Sequence, residues 1–477
     1  MELLVGRTLE KKNLSEALVS TSAELIAVYG RRRVGKTFLI RSVYRKELVF
    51  ELSGVHDANA GEQLLNFSQA MADALNTQLP LATPKNWTEA FSLLKEFLVP
   101  LLKKKKAVVF FDEFPWLSSH KSSFLSAFEY FWNQWASQQP NLIVAICGSA
   151  ATWMIKKVVN SKGGLHNRLT RKIRLLPFTL YETEQYLQSR AIQLDRYQML
   201  TIYMAMGGVP HYLKEIKKGE SATQAIDRLC FTKDGLLATE FTNLYRSLFE
   251  NADRHISIVK VLADKPSGLT RNEIIATCKL QSGGTTSLLL EELVESGFIT
   301  PHLPFLKNVN KSIYKLSDEY SLFYLKFIEH SRATGAGTWF KKSATSSWKS
   351  WSGYAFEGIC GKHINNIKQS LGISGVYTET SAWRHAPKTG KGAQIDLLLD
   401  RQDNTISICE MKFSNTEFEI DKAYAAELQD KLNIFRQESK TKKTLFLVIA
   451  TTYGLKQNSY AISLVQNKIT MDDLFTQ

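Results

Sequence analysis

The chain has 477 residues, of which 44% are hydrophobic and 22% are charged. At about 150 residues per domain this length predicts about three domains, and the composition excludes a mainly disordered protein. Five cysteines without a CxxC pair exclude a disulfide framework and a zinc ribbon. The start of the chain has no signal-peptide pattern, and no apolar run approaches the ~20 residues of a membrane helix, so we expect a cytoplasmic protein without a membrane partner.

The net charge of +14 is unevenly distributed along the chain. Residues 351–477 contain 15 basic and 14 acidic side chains, so nearly all of the basic excess lies in residues 1–350. A basic surface favours a polyanionic partner such as nucleic acid, bound without reading its sequence. The alternative is that these basic residues face nucleotide phosphates and solvent.

The first half of the chain alternates short apolar runs with stretches of helical periodicity. The runs that predict strands are 25–29, 48–52, 107–111, 142–147 and 173–176. This alternation is typical of an α/β fold with a parallel sheet and crossover helices. We assign this α/β core to residues 1–180 and a helical lid to residues 181–250.

The second half predicts three further segments. Residues 251–330 are expected to form three helices and a hairpin, the order of a winged helix-turn-helix. Residues 331–350 are rich in Ser, Thr, Ala and Gly, which predicts a linker. Residues 351–477 predict a C-terminal α/β domain whose helices and strands are expected at 353–369, 394–400, 405–412, 421–437 and 444–450.

A phosphate-binding motif follows the first predicted strand. The residues that match the pattern G-x-x-x-x-G-K-[ST] are Gly30, Arg31, Arg32, Arg33, Val34, Gly35, Lys36 and Thr37. In such a P-loop the backbone N–H groups surround the phosphates, the lysine contacts the β- and γ-phosphate oxygens, and the hydroxyl binds Mg²⁺. The motif therefore predicts bound ATP and Mg²⁺. A glycine turn without a ligand is the alternative.

Four further positions complete the predicted nucleotide site. Asp112 and Glu113 end a buried strand, where an ATPase has an aspartate near Mg²⁺ and a glutamate that orients the attacking water. Ser149 follows the next strand and is a candidate contact to the γ-phosphate or the water. Arg168 lies in a basic stretch and is our candidate arginine finger, acting in trans in a homo-oligomer. A solvated face or a nucleic-acid contact is the alternative for this stretch.

Together these motifs resemble the archaeal-type AAA+ ATPases, a family related to the STAND ATPases. The resemblance covers nearly the whole chain and also rests on Val5-Gly-Arg7 and on GGVPHYL at 207–213. It implies that Val5-Gly-Arg7 lies near the adenine and that a nuclease-like domain follows the winged helix. The family usually has Gly-Arg where this chain has Asn167-Arg168.

A carboxylate pair is predicted in the C-terminal domain. A turn centred on Asp403 would place Asp396 opposite Glu410 on one face of a hairpin, together with Lys412. Opposed Cβ atoms lie about 5 Å apart, so that the two carboxylates could share Mg²⁺ or Mn²⁺ while the lysine orients or activates the hydrolytic water. A shift of the turn by half a residue would separate the carboxylates onto opposite faces.

This pattern resembles the PD-(D/E)xK nuclease core, also called the restriction-endonuclease-like fold. The resemblance implies a helix-borne acid, for which Glu357 is the matching position. Two functions remain open at this point. The first is an ATPase coupled to a metal-dependent nuclease-like domain that acts on nucleic acid. The second is a STAND-like regulatory ATP switch or a DNA-binding protein without cleavage activity.

Overall fold

The computed structural model describes residues 3–119, 122–149, 151–159, 163–249, 251–305, 311–331, 335–385, 387 and 391–477, with only the backbone of residues 151 and 152. The chain forms two compact units. The first comprises Met1–Pro177, Leu248–Glu250 and Glu295–Gly297, and the second comprises Phe178–Ser247, Asn251–Val294 and Phe298–Gln477. None of the helices in the described part of the chain has the length and apolar character that a bilayer span requires.

The first unit contains a five-stranded parallel sheet, as the sequence predicts. Its strands, β1 to β5 in chain order, are Glu24–Tyr29, Leu48–Ser53, Ala107–Asp112, Leu142–Gly148 and Arg171–Arg174. The order across the sheet is β2-β3-β4-β1-β5, so β1 is flanked by β4 and β5. The helices α1 to α7 are Thr8–Val19, Lys36–Val43, Ala60–Ala74, Trp87–Leu102, Phe114–Leu117, Phe124–Gln134 and Ala151–Met154.

Both faces of this sheet are covered by helices. On one face α1 and α2 contribute Leu14, Leu39 and Ile40 to a core that also contains β-strand residues such as Val28. On the other face α3, α4 and α6 form an aromatic-rich core with β2, β3 and β4. A sheet buried on both faces explains why its strands are continuous apolar runs rather than alternating ones.

The second unit begins with helices and then forms two smaller sheets. Helices α8 to α22 are Leu180–Ser189, Arg196–Met206, Pro210–Leu213, Ala222–Phe231, Glu240–Arg246, Ala252–Ala263, Arg271–Thr277, Gly284–Glu295, Glu319–Phe323, Thr338–Ser343, Ser346–Lys362, Ile364–Ser370, Lys422–Ser439, Ser459–Leu464 and Met471–Leu474. Strands β6 to β8 are Leu269–Thr270, Ile299–His302 and Ile313–Leu316, and they form an antiparallel sheet in the order β6-β8-β7. The three helices α13 to α15 and the strands β7 and β8 follow the predicted order, whereas β6 is an additional strand that the sequence did not predict. Their assignment as a winged helix stays a prediction.

The C-terminal sheet of the second unit is mixed. Its strands β9 to β13 are Thr378–His385, Ala393–Arg401, Thr405–Lys412, Thr444–Thr451 and Asn467–Ile469, in the order β13-β12-β11-β10-β9. Strands β9, β10 and β11 are antiparallel neighbours, whereas β11, β12 and β13 run parallel. The two edge strands, β9 and β13, are absent from the sequence prediction because they lack a continuous apolar run.

The segment predicted as a linker at 331–350 differs in the structure. Residues 338–343 form α17, and α18 begins at Ser346. The Trp339 side chain is fully buried and packs edge-on against Trp348 at a centroid distance of 5.0 Å. Two carboxylate oxygens of Asp227 also accept the N–H groups of Gly337 and Trp339. Because the segment is rich in small residues, its composition does not indicate its burial. The tryptophans supply the apolar surface that buries it.

The helix predicted over 353–369 also differs from the observed one. It is two helices, α18 and α19, which are separated at His363. The His363 ring is buried, with Nδ1 near the carbonyl of Ile359 and Nε2 accepting the N–H of Leu180. A histidine held by two backbone groups explains a break that helical periodicity does not show.

Candidate functional site

The predicted phosphate loop connects β1 to α2. Gly30 has a φ of 147°, and a Cβ atom at this position would lie 2.2 Å from the carbonyl oxygen of Leu175. Gly35 has a φ of 92° and is the N-terminal cap of α2, which has no side-chain cap hydrogen bond. Arg33 also has a positive φ, of 71°. The loop therefore turns sharply into a helix N-terminus, the geometry in which backbone N–H groups can receive an anion.

Lys36 is buried within this loop. Its Nζ donates to the carbonyl oxygens of Gly30 at 3.0 Å and Arg31 at 2.9 Å. Burial lowers the pKa of Lys36, and the nearby Asp112 and Glu113 partly oppose this shift. Desolvation makes a buried ammonium costly, so a phosphate anion at this loop would supply a favourable partner for it.

Asp112 and Thr37, the two predicted magnesium ligands, lie side by side. The Thr37 hydroxyl donates to Asp112 Oδ2 at 2.7 Å, although 75 positions separate the two residues. Asp112 Oδ1 accepts the N–H of Glu113 at 2.9 Å and the thiol of Cys147 at 2.7 Å. A hydroxyl and a carboxylate side by side form an oxygen donor set of the type that Mg²⁺ prefers, so the residues present fit this ion.

Glu113 and Ser149 are also brought together. Glu113 Oε2 accepts the Ser149 hydroxyl at 2.8 Å and the Ser149 N–H at 3.1 Å. Glu113 has a φ of 43°, a left-handed conformation that is uncommon outside glycine. The sequence places Ser149 near the γ-phosphate or the attacking water. The structure adds a direct bond to the glutamate that we expect to orient that water.

A buried glutamine, Gln63, which the sequence analysis did not identify, supports the segment that carries Asp112 and Glu113. The Gln63 amide donates to the carbonyl oxygens of Val55 and Trp116, and Gly54 N–H donates to the Asp112 carbonyl. Gln63 is fully buried on α3. In the sequence, the only indication of this role is that Gln63 is a polar residue on the mainly apolar face of α3. These bonds link the β2–α3 connection to the segment that follows β3.

The remaining predicted residues of the first unit lie around the loop. Arg7 is buried, and its Nη2 donates to the Val34 carbonyl at 3.2 Å, which joins Val5-Gly-Arg7 to the phosphate loop. The guanidinium of Arg32 lies 5.7 Å from the centroid of the Trp116 ring. Arg168 is exposed to solvent, and its role as an arginine finger stays a prediction.

In the second unit, the C-terminal hairpin has the predicted register. The β10–β11 ladder pairs Leu397 with Cys409 and Leu399 with Ser407. This is the alignment that predicts Asp396 opposite Glu410, one step beyond the paired residues.

The helix-borne acid lies close to both hairpin carboxylates. Burial, together with the charges of Asp396 and Glu410, raises the pKa of Glu357 to about 8, against an opposing effect of Lys315. Burial also raises the pKa of Glu410, with Asp396 contributing in the same direction. Glu357 and Glu410, whose pKa values are raised, and the neighbouring Asp396 supply oxygen donors and negative charge of the kind that attracts a divalent cation.

Each hairpin carboxylate has a lysine partner that the sequence did not predict. Asp396 Oδ1 accepts from Lys315 Nζ at 3.0 Å, and Glu410 Oε1 accepts from Lys431 Nζ at 2.6 Å. Burial alone would raise the pKa of Asp396, but Lys315 and a hydrogen bond from Gln394 hold it below its usual value. In the part of the chain that the structure describes, no group of three or more His, Cys, Asp or Glu side chains is placed to hold a metal ion.

Lys412 has a different environment from the one expected. Its Nζ lies 4.7 Å from the centroid of the Tyr424 ring, a cation–π contact. Tyr424 and Lys431 are seven positions apart on α20, so they lie on the same face of that helix. This spacing is the signal in the sequence that could have indicated α20 as a third wall of the carboxylate site.

Comparison with known proteins supports the reading of the first unit. Residues 4–216 match the family model described as an ATPase domain predominantly from Archaea. An uncharacterized protein of Methanocaldococcus jannaschii is 24% identical over 421 residues, which is 87% of this chain and 88% of the relative.

Two solved structures align with this chain. The Walker-type ATPase PABY2304 of Pyrococcus abyssi aligns with a TM-score of 0.50 and 18% identity, over 68% of this chain and 96% of that one. The Aeropyrum pernix ORC2 protein aligns over 72% of this chain and 96% of its own with 14% identity, but its TM-score of 0.41 is too low to support an argument. Residues 4–216 are therefore similar to ATPase domains found predominantly in Archaea, and P-loop ATPase is the function class that the comparisons support for them.

Proposed function

We propose that the first unit binds and hydrolyses ATP with Mg²⁺. The observation that carries the proposal is the 2.7 Å bond between Thr37, at the end of the phosphate loop, and Asp112, at the end of β3. These are the two side chains that the sequence assigns to magnesium, and they meet beside a helix N-terminus. The similarity of residues 4–216 to an ATPase family supports the same function.

Each residue of the proposed site has a distinct task. The loop backbone and Lys36 bind and orient the phosphates, while Thr37 and Asp112 hold Mg²⁺, which neutralises charge on the phosphate oxygens when it is bound. Glu113 holds the attacking water and accepts its proton. Ser149 positions Glu113 through the two hydrogen bonds that it donates.

Two substitutions test this proposal. Lys36→Ala should weaken ATP binding, because it removes the cation that contacts the β- and γ-phosphates. Glu113→Gln should leave ATP binding nearly intact and lower kcat, because it removes a base and not a ligand. Fluorescent-nucleotide titration and steady-state ATPase assays measure the two effects. Arg41→Gln is the control, since Arg41 lies on α2 but bonds the surface residue Glu51. Equal ATPase rates for wild type and Glu113→Gln would contradict the role of Glu113.

We propose further that the C-terminal sheet, with α18 and α20, is a metal-dependent nuclease-like domain coupled to the ATPase. The observed β10–β11 register, and the raised pKa values of Glu357 and Glu410, to both of which Asp396 contributes, support this proposal. The domain limits 251–330 for a winged helix and 351–477 for this domain belong to the same proposal. Nucleic acid is the proposed substrate, contacted without sequence specificity by the basic first 350 residues.

In this proposed site, Asp396 and Glu410 would hold Mg²⁺ or Mn²⁺, and Glu357 would assist from α18. A bound divalent ion supplies Lewis-acid activation of a phosphodiester and of a water. Glu357 is mainly protonated at neutral pH when its pKa is about 8, and a cation nearby would favour its ionised form. Lys412 would release its contact with Tyr424 to reach the water or the phosphate.

Cleavage of plasmid and single-stranded DNA, with Mg²⁺ or Mn²⁺ and with or without ATP, tests this domain. Wild type should cleave in the presence of metal, and Asp396→Ala should not. Lys412→Ala should still bind the metal, because both ligands remain, but should lose cleavage. Lys422→Ala, at the start of α20, is a control outside the proposed site. Metal-independent cleavage, or equal cleavage by Asp396→Ala and wild type, would contradict the assignment.

The second candidate function is a regulatory ATP switch without cleavage activity. The observation that favours it is that Asp396 and Glu410 each have a lysine partner, which neutralises the charge that would attract a metal. In this case ATP binding and slow turnover would control a nucleic-acid or protein contact of the second unit. Absence of cleavage under all metal conditions, together with a measurable ATPase rate, is the result expected of this candidate.

A further inference from the structure

The β7–β8 hairpin reaches the C-terminal sheet through backbone hydrogen bonds. In register, Lys315 on β8 pairs with Thr300 on β7. Beyond β7, Phe305 N–H donates to the Ala382 carbonyl at 2.8 Å, so the chain leaving β7 attaches to β9. Phe305 also packs against Phe435 of α20, with ring centroids 5.4 Å apart. The hairpin is thus anchored beside the carboxylate pair.

From this anchored hairpin, the ammonium group of Lys315 contacts Asp396. The two side chains are 19% and 25% exposed, so water screens their attraction only partly. The same Asp396 oxygen that accepts from Lys315 also accepts from the Gln394 amide at 2.8 Å. Two donors on one carboxylate oxygen occupy the directions from which a metal ion would approach it.

The two lysines of the site differ in their origin. Lys431 belongs to α20, which packs on the C-terminal sheet and would accompany Glu410 in any rearrangement. Lys315 comes from a separate three-stranded sheet that precedes α18 in the chain. Lys315 therefore brings a charge to Asp396 from outside the C-terminal sheet, on a hairpin that Phe305 attaches to that sheet.

A cavity beside this contact provides room for such a change. Its volume is about 350 Å³, and Lys315, His302, Glu357 and Asp396 are among its lining residues. A lysine side chain has four rotatable carbons, so Lys315 could move into this space without displacing core residues.

We propose that Lys315 is an inhibitory counter-ion: the β7–β8 hairpin holds its ammonium at the position on Asp396 that a divalent cation requires. The inference rests on the proposed nuclease-like site and adds its regulation. A cation binds there when the Lys315 side chain withdraws, because Asp396 then regains an unpaired negative charge. This role would explain why residues of two separate sheets meet at one carboxylate.

Calorimetric titration of the full-length chain with Mn²⁺, without nucleotide, tests the proposal. Subtracting the Asp396→Ala titration isolates binding that depends on Asp396. Lys315→Met should lower the Kd of this binding at least tenfold relative to wild type, since a neutral side chain no longer competes. Lys315→Gln should do the same while keeping a polar side chain, which guards against misfolding. Lys456→Met is the matched control, because Lys456 pairs with Glu419 at 3.0 Å on the surface of the same domain.

The outcomes separate the two proposals. Equal Kd values for wild type and both Lys315 variants, with binding that still depends on Asp396, would overturn the inhibitory role and leave the metal site in place. No Asp396-dependent binding in any variant would overturn both the inhibitory role and the metal site. A tighter Kd in Lys456→Met as well would mean that lost positive charge acts generally, which would also overturn the specific role of Lys315.

Discussion

The phosphate loop and the C-terminal carboxylate site both present acidic side chains near strand ends, but the partners of those carboxylates differ in charge. Asp112 accepts from a hydroxyl, a thiol and a backbone N–H, all of them neutral. Asp396 and Glu410 each accept from a lysine ammonium. Neutral donors orient a carboxylate and leave its charge available, whereas an ammonium cancels that charge.

This difference bears on how each site would take up a metal ion. At the phosphate loop, Mg²⁺ that binds with a nucleotide would find Thr37 and Asp112 already in contact. It would replace the hydrogen bond from the Thr37 hydroxyl to Asp112, and no ion pair would have to break. At the C-terminal site, the cation must first replace a salt bridge. A carboxylate with neutral donors can therefore belong to a site that is ready to bind a metal ion, here the phosphate loop. A carboxylate paired with an ammonium belongs to a site under the control of its lysine, here the C-terminal site.

The largest effect that we predict concerns Arg168, in the unit with the ready site. If Arg168 completes the site of a second copy of the chain, Arg168→Ala should lower kcat about 10³-fold, the smaller end of arginine-finger effects, with little change in ATP affinity. ATPase activity per chain should also rise with protein concentration in the wild type. A rate independent of concentration in a strict monomer would contradict action in trans.

A smaller effect is predicted for metal binding at the site under control. A cation at 100 times its Kd stabilises the folded chain by about 2.7 kcal/mol, through the linkage RT ln(1 + [L]/Kd). Thermal melting with and without Mn²⁺ should show this gain for wild type and for Lys412→Ala, and Asp396→Ala should abolish it. If all three proteins melt alike with and without millimolar Mn²⁺, the C-terminal site binds no metal and the comparison between two metal sites fails.

The smallest predicted effect concerns acid. Burial lowers the pKa of His363 to about 4, from an ordinary value of 6.5. Below pH 6.5 the unfolded chain takes up a proton at this histidine while the folded chain does not, so stability falls as the pH falls toward 4. Two pKa values this far apart correspond to a loss of about 2 kcal/mol between pH 7 and pH 5.

Urea unfolding of wild type and His363→Gln at both pH values measures this loss. The variant cannot titrate at this position and should lose less stability on acidification. His302, whose pKa burial also lowers to about 4, titrates in the same range, so part of the acid sensitivity should remain in the variant. His330→Gln is the control, since the His330 side chain is 85% exposed. An identical loss in wild type and His363→Gln would show that His363 does not contribute.

Local sequence patterns were sufficient for most of the fold. The five strands of the first sheet were predicted within two residues at each end, because most of them are apolar runs bounded by turns or helices. The two-residue shift falls on β5, whose sequence Arg-Lys-Ile-Arg is not an apolar run. The phosphate loop is a continuous motif, so its turn and the following helix could be predicted from eight consecutive residues. The turn at Asp403 also predicted the β10–β11 register, because a hairpin transmits register directly from its turn.

The segments that could not be predicted depend on distant contacts. Residues 338–343 and 346–350 are helical because Trp339 and Trp348 become buried, which the small and polar residues of this segment do not indicate. The break at His363 depends on the N–H of Leu180, which lies 183 positions earlier in the chain.

By itself the sequence determined which residues form the phosphate loop, which carboxylates end the strands, and which of them share a face of the C-terminal hairpin. Only the tertiary structure decided the partners of those carboxylates. Lys315 lies 81 positions before Asp396, and Lys431 reaches Glu410 from a helix 21 positions away. Spacing along one strand or one helix indicates which side chains are neighbours within that element. The charge of a neighbour supplied by another element depends on how the elements pack, and that charge separates a ready metal site from one that a lysine controls.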